Sequence, residues 1–331
     1  MRSAPESGAA SAPLLAVRSL AVAFGGTRVV DGVSFDVERG EIVALVGESG
    51  SGKTVTALSL LGLVPAPGRV VGGTACFEGR DVGSLPAQDL RRLRGGGIGF
   101  VFQEPGEALD PVRTIGSELV AVLGRHRGLR GADARREALS WLARVALPDP
   151  EARFDDLPHG MSGGMRQRAM LALALAGGPR LLVADEPTSA LDVTIQAQLL
   201  DLLHRLRDEL GLAVLLVTHD LGVVAEIADR ALVLYAGEVV EEASVEELLA
   251  SPAHPYTRAL LAARPRGDGP GRRGRLPAIG GAVPEPGAWP PGCRFSPRCA
   301  EAFGRCRVEK PVLRARGEGR RSACFLDEEA R

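Results

Sequence analysis

The sequence predicts an α/β protein built on a parallel sheet covered on both faces. An antiparallel β region precedes that sheet, a helical insertion interrupts it, and a small cysteine-containing module follows it. Three observations lead to this reading. Continuous apolar runs at residues 42–46, 181–184 and 213–217 do not alternate with polar residues, as expected of strands buried on both faces. Helical patterns separate the runs. Each run also ends in polar chemistry, at Gly47, at Asp185-Glu186 and at Thr218-His219-Asp220. In an open parallel sheet the carboxyl ends of neighbouring strands face one crevice, so these ends are expected to meet at one site.

The elements follow in order. Residues 1–13, rich in Ala, Ser and Pro, read as a disordered start. From Leu14 to Val37, short β segments broken by Gly25-Gly26 and Asp31-Gly32 predict the antiparallel region. Residues of about 104–176 turn helical, as in Arg135 to Ala146 and Met165 to Ala176, and read as a subdomain of one unit spanning 14–265. Past Arg264 the composition shifts to Gly, Pro and Arg, so 266–331 reads as a linker and a Cys-rich module.

Bulk properties narrow the function. Forty basic residues against forty-one acidic ones leave no field that would draw the whole chain to nucleic acid, and aromatics at 4% offer few stacking platforms. No nucleic-acid partner is expected. The apolar stretches stop short of the ~20 residues that cross a bilayer. Pro13 and Arg18 flank only a weak apolar run, so no signal peptide is read and a cytosolic location is expected. In a reducing compartment, five cysteines point to metal ligation or inert burial rather than disulfides.

Gly47-Glu48-Ser49-Gly50-Ser51-Gly52-Lys53-Thr54 fits the phosphate-binding pattern G-x-x-x-x-G-K-[ST] at every fixed position. Glycines let successive N–H groups converge on phosphate oxygens, a slim ammonium reaches the β- and γ-phosphates, and a hydroxyl ligates Mg²⁺. Only two of the forty basic residues are lysine, and Lys53 is one of them. Residues 180–186 form an apolar strand finishing in two carboxylates. Asp185 suits the Mg²⁺ shell shared with Thr54, and Glu186 suits orientation or deprotonation of the water attacking the γ-phosphate. Ser162-Gly163-Gly164-Met165-Arg166-Gln167-Arg168 opens a helix with a capping serine and two glycines, a second anion-binding helix start.

Together these segments resemble the ATP-binding subunits of ABC transporters, over about residues 14–265. The resemblance implies a P-loop NTPase with a RecA-like core, ATP and Mg²⁺ as ligands, and head-to-tail dimers. Ser162, Gly163, Gly164 and Gln167 of one subunit would then cap ATP held by the other's phosphate loop. It also implies roles for further residues. Gln103 matches the glutamine loop that touches Mg²⁺ or the lytic water and links the site to the transporter. Asp192 matches the loop that crosses the dimer interface, although an aspartate there also caps a helix. His219 matches the switch histidine at the γ-phosphate. Phe24 lies where an aromatic ring stacks on adenine, though a single Phe in a β region also serves a core. Met161 stands where the family usually has Leu, a volume-conserving change.

Three further segments resemble the oligopeptide and dipeptide importers, a branch that includes nickel and some sugar transporters: residues 191–198, residues 254–260 and the cysteine tail. By that resemblance the chain is the ATP-hydrolysing subunit of an importer, most simply for peptides, peripheral on the cytoplasmic face of the inner membrane. Its partners would be a second, related ATPase subunit in a heterodimer, two transmembrane permease subunits and an extracytoplasmic solute-binding protein. The alternative is a soluble ABC ATPase of DNA repair or translation, but those carry long coiled-coil insertions or two cassettes in one chain. His254-Pro255-Tyr256 reads as domain-closing structure.

In the tail, Cys293, Cys299, Cys306 and Cys324 are interleaved with Arg294, Arg298, Arg305 and Arg307, which would offset thiolate charge. Spacing leaves the metal open. Tight C-x₂₋₄-C zinc pairs are absent, and some members of this branch carry a [4Fe-4S] cluster on such a tail; the alternatives are no stable metal, weighed equally with the cluster, and zinc behind both. Cys76, remote from the others, reads as a small buried hydrophobe.

Overall fold

The computed structural model describes residues 12–189, 191–263, 279–317 and 319–326. Most of the expected disordered start and of the expected linker lies outside them. The chain opens as a hairpin of β1 (Leu15–Phe24) and β2 (Thr27–Val37), turned by Gly25 and Gly26, both at positive φ. β3 (Ile42–Val46) then leads into α1 (Lys53–Ser59). β4 (Gly68–Phe77) and β5 (Arg80–Asp81) return to the hairpin, so the antiparallel sheet has the order β2-β1-β4-β5 and extends beyond the predicted region. After α2 (Ala87–Gly96) and β6 (Ile98–Val101) come the helices α3 (Pro105–Ala108), α4 (Ile115–Arg127), α5 (Gly131–Arg144), α6 (Pro150–Phe154) and α7 (Gly163–Ala176).

The main sheet continues with β7 (Leu181–Asp185), α8 (Val193–Leu210), β8 (Ala213–Thr218), α9 (Leu221–Ile227), β9 (Arg230–Tyr235) and β10 (Glu238–Ser244). Then follow α10 (Val245–Ala250), α11 (Pro255–Ala262), α12 (Gly304–Val308), β11 (Arg314–Ala315) and β12 (Arg321–Ser322). The sheet order is β11-β12-β10-β9-β3-β8-β7-β6, with β9, β3, β8, β7 and β6 parallel. The three apolar runs are therefore adjacent strands, and their carboxyl ends lie side by side. Every residue of β3, β7 and β8 is buried.

The tail completes this sheet. β12 pairs antiparallel with β10, Glu241 facing Ser322, and Phe295 packs edge-on to Tyr235 at 5.2 Å between centroids. β10 buries Glu241 and Glu242 because partners reach them: the backbone N–H groups of Ala253 and His254 donate to Glu241, and Arg230 and Arg321 pair with Glu242. Cys76 is only half-buried, which corrects the expectation. Alternation along β4 turns Ala75 and Phe77 into the core and Cys76 to the other face.

In the helical insertion, α4, α5 and α7 enclose Leu119, Leu123, Trp141 and Leu142, in a core continuous with Ile42, Leu182 and Val214 of the main sheet. The Phe154 ring lies against the bare Cα of Gly116, with the Arg135 guanidinium 4.0 Å from its centroid on another side. A Cβ at Gly116 would come within 2.3 Å of the ring. Gly116→Val should therefore cost about 1–3 kcal/mol of stability by overpacking, read as a lower urea midpoint with an unchanged slope.

Candidate functional site

β3 delivers the phosphate-binding pattern as a loop that wraps back on its own lysine. Lys53 Nζ donates to Gly47 O at 2.7 Å, Glu48 O at 3.0 Å and Ser51 Oγ at 3.4 Å. Burial lowers the Lys53 pKa, opposed by the fields of Glu186, Asp185 and Glu48. The loop needs its glycines for two reasons. Gly50 and Gly52 sit at φ of 80° and 98°, and a Cβ on Gly47 would lie 2.2 Å from Leu234 O.

At the end of β7 the two carboxylates separate. Asp185, 2% exposed, accepts a hydrogen bond from Thr54 Oγ1 at 3.2 Å, and burial raises its pKa. Glu186 follows at φ 45°, the left-handed region that costs a non-glycine residue about 1–3 kcal/mol. Its backbone is pinned there by its N–H to Val217 O at 2.8 Å and by Ser189, whose N–H and Oγ both donate to Glu186 O. Gln103 Nε2 donates to Glu186 Oε2 at 3.3 Å, and His219 Nδ1 lies 3.0 Å from Oε1. Thr54, Gln103, Asp185, Glu186 and His219, from three strand ends and one helix start, thus converge on one crevice.

Ser162 and Gly163 are exposed at the start of α7, with Ser162 Oγ accepting from Met165 N–H, while Gln167 is 4% exposed. Asp192 is exposed and caps α8, accepting from Ile195 N–H at 2.9 Å. Gly164 stands against Ile195, so these two helix starts share one edge. Phe24, half-buried at the end of β1, packs its ring over Gly68 and beside Val64.

Several contacts at the loop have no signal in the sequence, because they come from distant segments. Gly237 N–H, in the turn between β9 and β10, donates to Ser51 O at 2.9 Å. Tyr256 OH accepts from Glu48 N–H at 2.9 Å, and burial raises the pKa of that hydroxyl. Residues 254–260 therefore do more than close a domain. Arg298 pairs with the Glu48 carboxylate, and Arg294 pairs with Asp31 and donates to Ala236 O at 2.6 Å. These two arginines turn away from the cysteines beside them, contrary to the expectation that they neutralise thiolates. Cys293, Cys299, Cys306 and Cys324 line one small cavity with His254, Phe295 and Phe325. Burial pushes the Cys293 thiol up to about 12 and raises that of Cys299. Among the described residues, no group of three or more His, Cys, Asp or Glu side chains could hold a metal ion.

Residues 30–189 match the ABC transporter family, and residues 240–306 match the oligopeptide/dipeptide transporter C-terminal region. The putative peptide import ATP-binding protein of Brucella abortus is 49% identical over 318 residues, 95% of each chain. The chain belongs to the ABC transporter family, in its oligopeptide/dipeptide branch of ATP-binding subunits. This ABC subunit is 48% identical over 301 residues to the oligopeptide transport ATP-binding protein AppD of Bacillus subtilis, covering 91% of each chain. It is 43% identical to the dipeptide transport ATP-binding protein DppD of Escherichia coli over 324 residues, 96% of this chain and 98% of that one. Among solved structures, a dimeric ATP-binding cassette bound to ADP and phosphate aligns with TM-score 0.62 at 28% identity, covering 70% of this chain and 98% of that one. CbiO1 of Clostridium perfringens aligns with TM-score 0.63 at 26% identity, covering 72% and 91%. The ABC subunit is thus an ATPase, and the donors at Thr54 and Asp185 suit Mg²⁺, which takes one or two protein oxygens and completes its shell with phosphate and water.

His254 makes the tail junction acid-sensitive. Buried at 1% exposure, it stays neutral and accepts from Tyr256 N–H through Nδ1, and burial lowers its pKa to about 3 from an ordinary 6.5. Below pH 6.5 the unfolded chain binds a proton that the folded chain refuses, so this contribution is complete above that pH and is lost as pH falls toward 3. Urea titrations of wild type should lose about 1 kcal/mol more per pH unit in that window than those of His254→Asn.

Proposed function

We propose that this ABC subunit hydrolyses MgATP at a composite site formed with a second ATPase subunit, and that closure of the pair drives peptide import through separate membrane subunits. The observation that carries the reading is the division of labour at the end of β7, where Asp185 meets Thr54 while Gln103 and His219 hold Glu186. Lys53 and the loop N–H groups bind the β- and γ-phosphates. Asp185 and Thr54, with Gln103 nearby, hold Mg²⁺, which offsets charge on the phosphate oxygens when bound. Glu186 orients the attacking water and takes its proton, and His219 and Gln103 fix that carboxylate toward the γ-phosphate.

Phe24 contributes a ring for adenine at the end of β1. The exposed start of α7, Ser162 to Gly164 with Gln167 behind it, supplies N–H groups to ATP on the partner, and Asp192 crosses the interface. Val193, 84% exposed beside that start, supports this edge as a contact surface. Phe102 and Val112, 40% and 82% exposed around the Gln103 loop, support docking to permease subunits there. No helix among the described residues is long and apolar enough to cross a membrane, so the channel is assigned to other chains and this subunit to the inner membrane's cytoplasmic face. A related second ATPase and a solute-binding protein complete the importer. Peptide as solute follows the names of the relatives. Residues 14–265 form the ATPase unit, and 266–331 its appendage.

For the tail we propose a [4Fe-4S] cluster on Cys293, Cys299, Cys306 and Cys324. Among the described residues no group is set to hold a metal ion; what supports the reading is that all four cysteines line one cavity.

Three measurements test these assignments. Glu186→Gln should lower the ATPase rate of the assembled complex at least ~100-fold while retaining MgATP binding and an ATP-dependent dimer on size exclusion with light scattering. Turnover at the wild-type rate would contradict the role of Glu186. Lys53→Ala should bind ATP at least ~10-fold more weakly. Protein purified without oxygen should contain about four irons and four sulfides per chain, lost in Cys306→Ser; zinc instead, or no metal, overturns the cluster.

A further inference from the structure

The second residue of the phosphate loop, Glu48, carries a carboxylate into a segment that binds a polyanion. Its charge is felt across the loop, being one of the fields acting on Lys53. The tail answers that charge. Arg298 donates through Nη1 to Oε2 at 2.7 Å and through Nη2 to Oε1 at 3.0 Å, a bidentate pair. Three further hydrogen bonds hold the guanidinium in place, from Nε to Gly280 O at 2.8 Å, from Nη2 to Ile279 O at 3.3 Å and from Nη1 to Tyr235 OH at 3.4 Å. Its side chain is 5% exposed against 30% for Glu48, so the loop carboxylate meets a fixed positive charge rather than a mobile surface arginine. Tyr256 OH takes the Glu48 N–H, so backbone and side chain of this one loop residue are both held by segments beyond residue 250.

We propose that Arg298 is a positioning residue for nucleotide binding: by neutralising and fixing Glu48, the C-terminal tail sets how tightly the phosphate loop holds the triphosphate of ATP. Residue 298 lies within the 240–306 match to the oligopeptide/dipeptide C-terminal region, so the adjustment belongs to that region and not to the residue 30–189 cassette match. The physical reason is the sign of the local field. With Arg298 in place the carboxylate is paired and adds little net charge beside the phosphates. Without Arg298 an unpaired negative charge faces up to four more. Without Glu48, the guanidinium stands unbalanced and attracts them. A tail clasp with no electrostatic role would behave differently, because breaking it from either end would loosen the loop and weaken binding in both cases.

The test is a set of affinities measured on the purified full chain with Mg²⁺ and a fluorescent trinitrophenyl-ATP probe. The inference rests on residues 47–54 holding the triphosphate, which wild-type binding and its loss in Lys53→Ala establish separately. Arg298→Met, which keeps much of the packed stem, should weaken binding about tenfold, and Glu48→Gln should tighten it about threefold. The double variant should return to within about twofold of wild type. In the assembled complex, Arg298→Met should raise KM for ATP with little change in kcat. Weakening by both single variants, or wild-type affinity in Arg298→Met, would overturn the inference. If Arg298→Met does not fold, Glu48→Gln alone decides: tighter binding supports the electrostatic role, and equal or weaker binding rejects it.

Discussion

The proposed chemistry of this ATPase depends on two adjacent carboxylates that the fold gives separate partners. Asp185 and Glu186 are consecutive, and in a regular strand they would point to opposite faces of the sheet. The structure brings both to the crevice instead, through the left-handed backbone at Glu186. That conformation is unfavourable for a glutamate, and it persists because Val217 O and Ser189 lock the peptide on both sides. Asp185 stays buried against Thr54, and Glu186 reaches Gln103 and His219. The order β3-β8-β7 makes this geometry productive, because it lines up the lysine loop, the histidine and the carboxylates as neighbours.

The tail extends the same pairing of charges to the rest of the molecule. Arg294 and Arg298 lie just inside the Cys293 to Cys299 segment, and both reach into the nucleotide-binding half, one to Asp31 and Ala236 O, the other to Glu48. On β10 the acidic residues are buried because Arg230, Arg321 and the amides before α11 satisfy them. Each of these buried charges therefore has a partner from a different part of the chain. Removing one member would leave the other stranded, which costs more than the pair contributes. The appendage is thus bound to the ATPase unit by charge pairing as well as by the Tyr235, Tyr256 and Phe295 rings.

Local pattern made the centre of the fold legible and left its edges obscure. Strands β3, β7 and β8 announce themselves as unbroken apolar runs, since burial on both faces leaves no room for polar residues. β4 does not, because Gly68, Gly72 and Gly73 interrupt it; a Cβ on Gly73 would lie 2.4 Å from Arg18 O, so close backbone approach explains the glycine. β10 reads Glu-Val-Val-Glu-Glu-Ala-Ser, a composition that suggests solvent, and it is buried only because of arginines as distant as position 321. The site divides in the same way. Asp185, Glu186 and His219 sit at strand ends and Lys53 opens α1 in a patterned loop, whereas Tyr256 and Arg298 contact that loop from more than two hundred residues away. No periodicity encodes such contacts.

The position of α7 bears on why one chain reads as half a machine. It begins with the exposed Ser162 and Gly163 and the half-buried Gly164, so N–H groups at a helix start, with the favourable dipole they carry, lie near the surface. The serine satisfies one of them, at Met165, and glycine leaves the others approachable. That helix start is anchored to the α8 start through Gly164 and Ile195, while the phosphate loop is anchored to the β9–β10 turn and the tail. The two anion-seeking elements of this chain are thus fixed to different parts of its framework. That arrangement suits the proposed composite site: each ATPase subunit would hold one element steady, and the distance between the elements would become a property of the pair, free to change on closure.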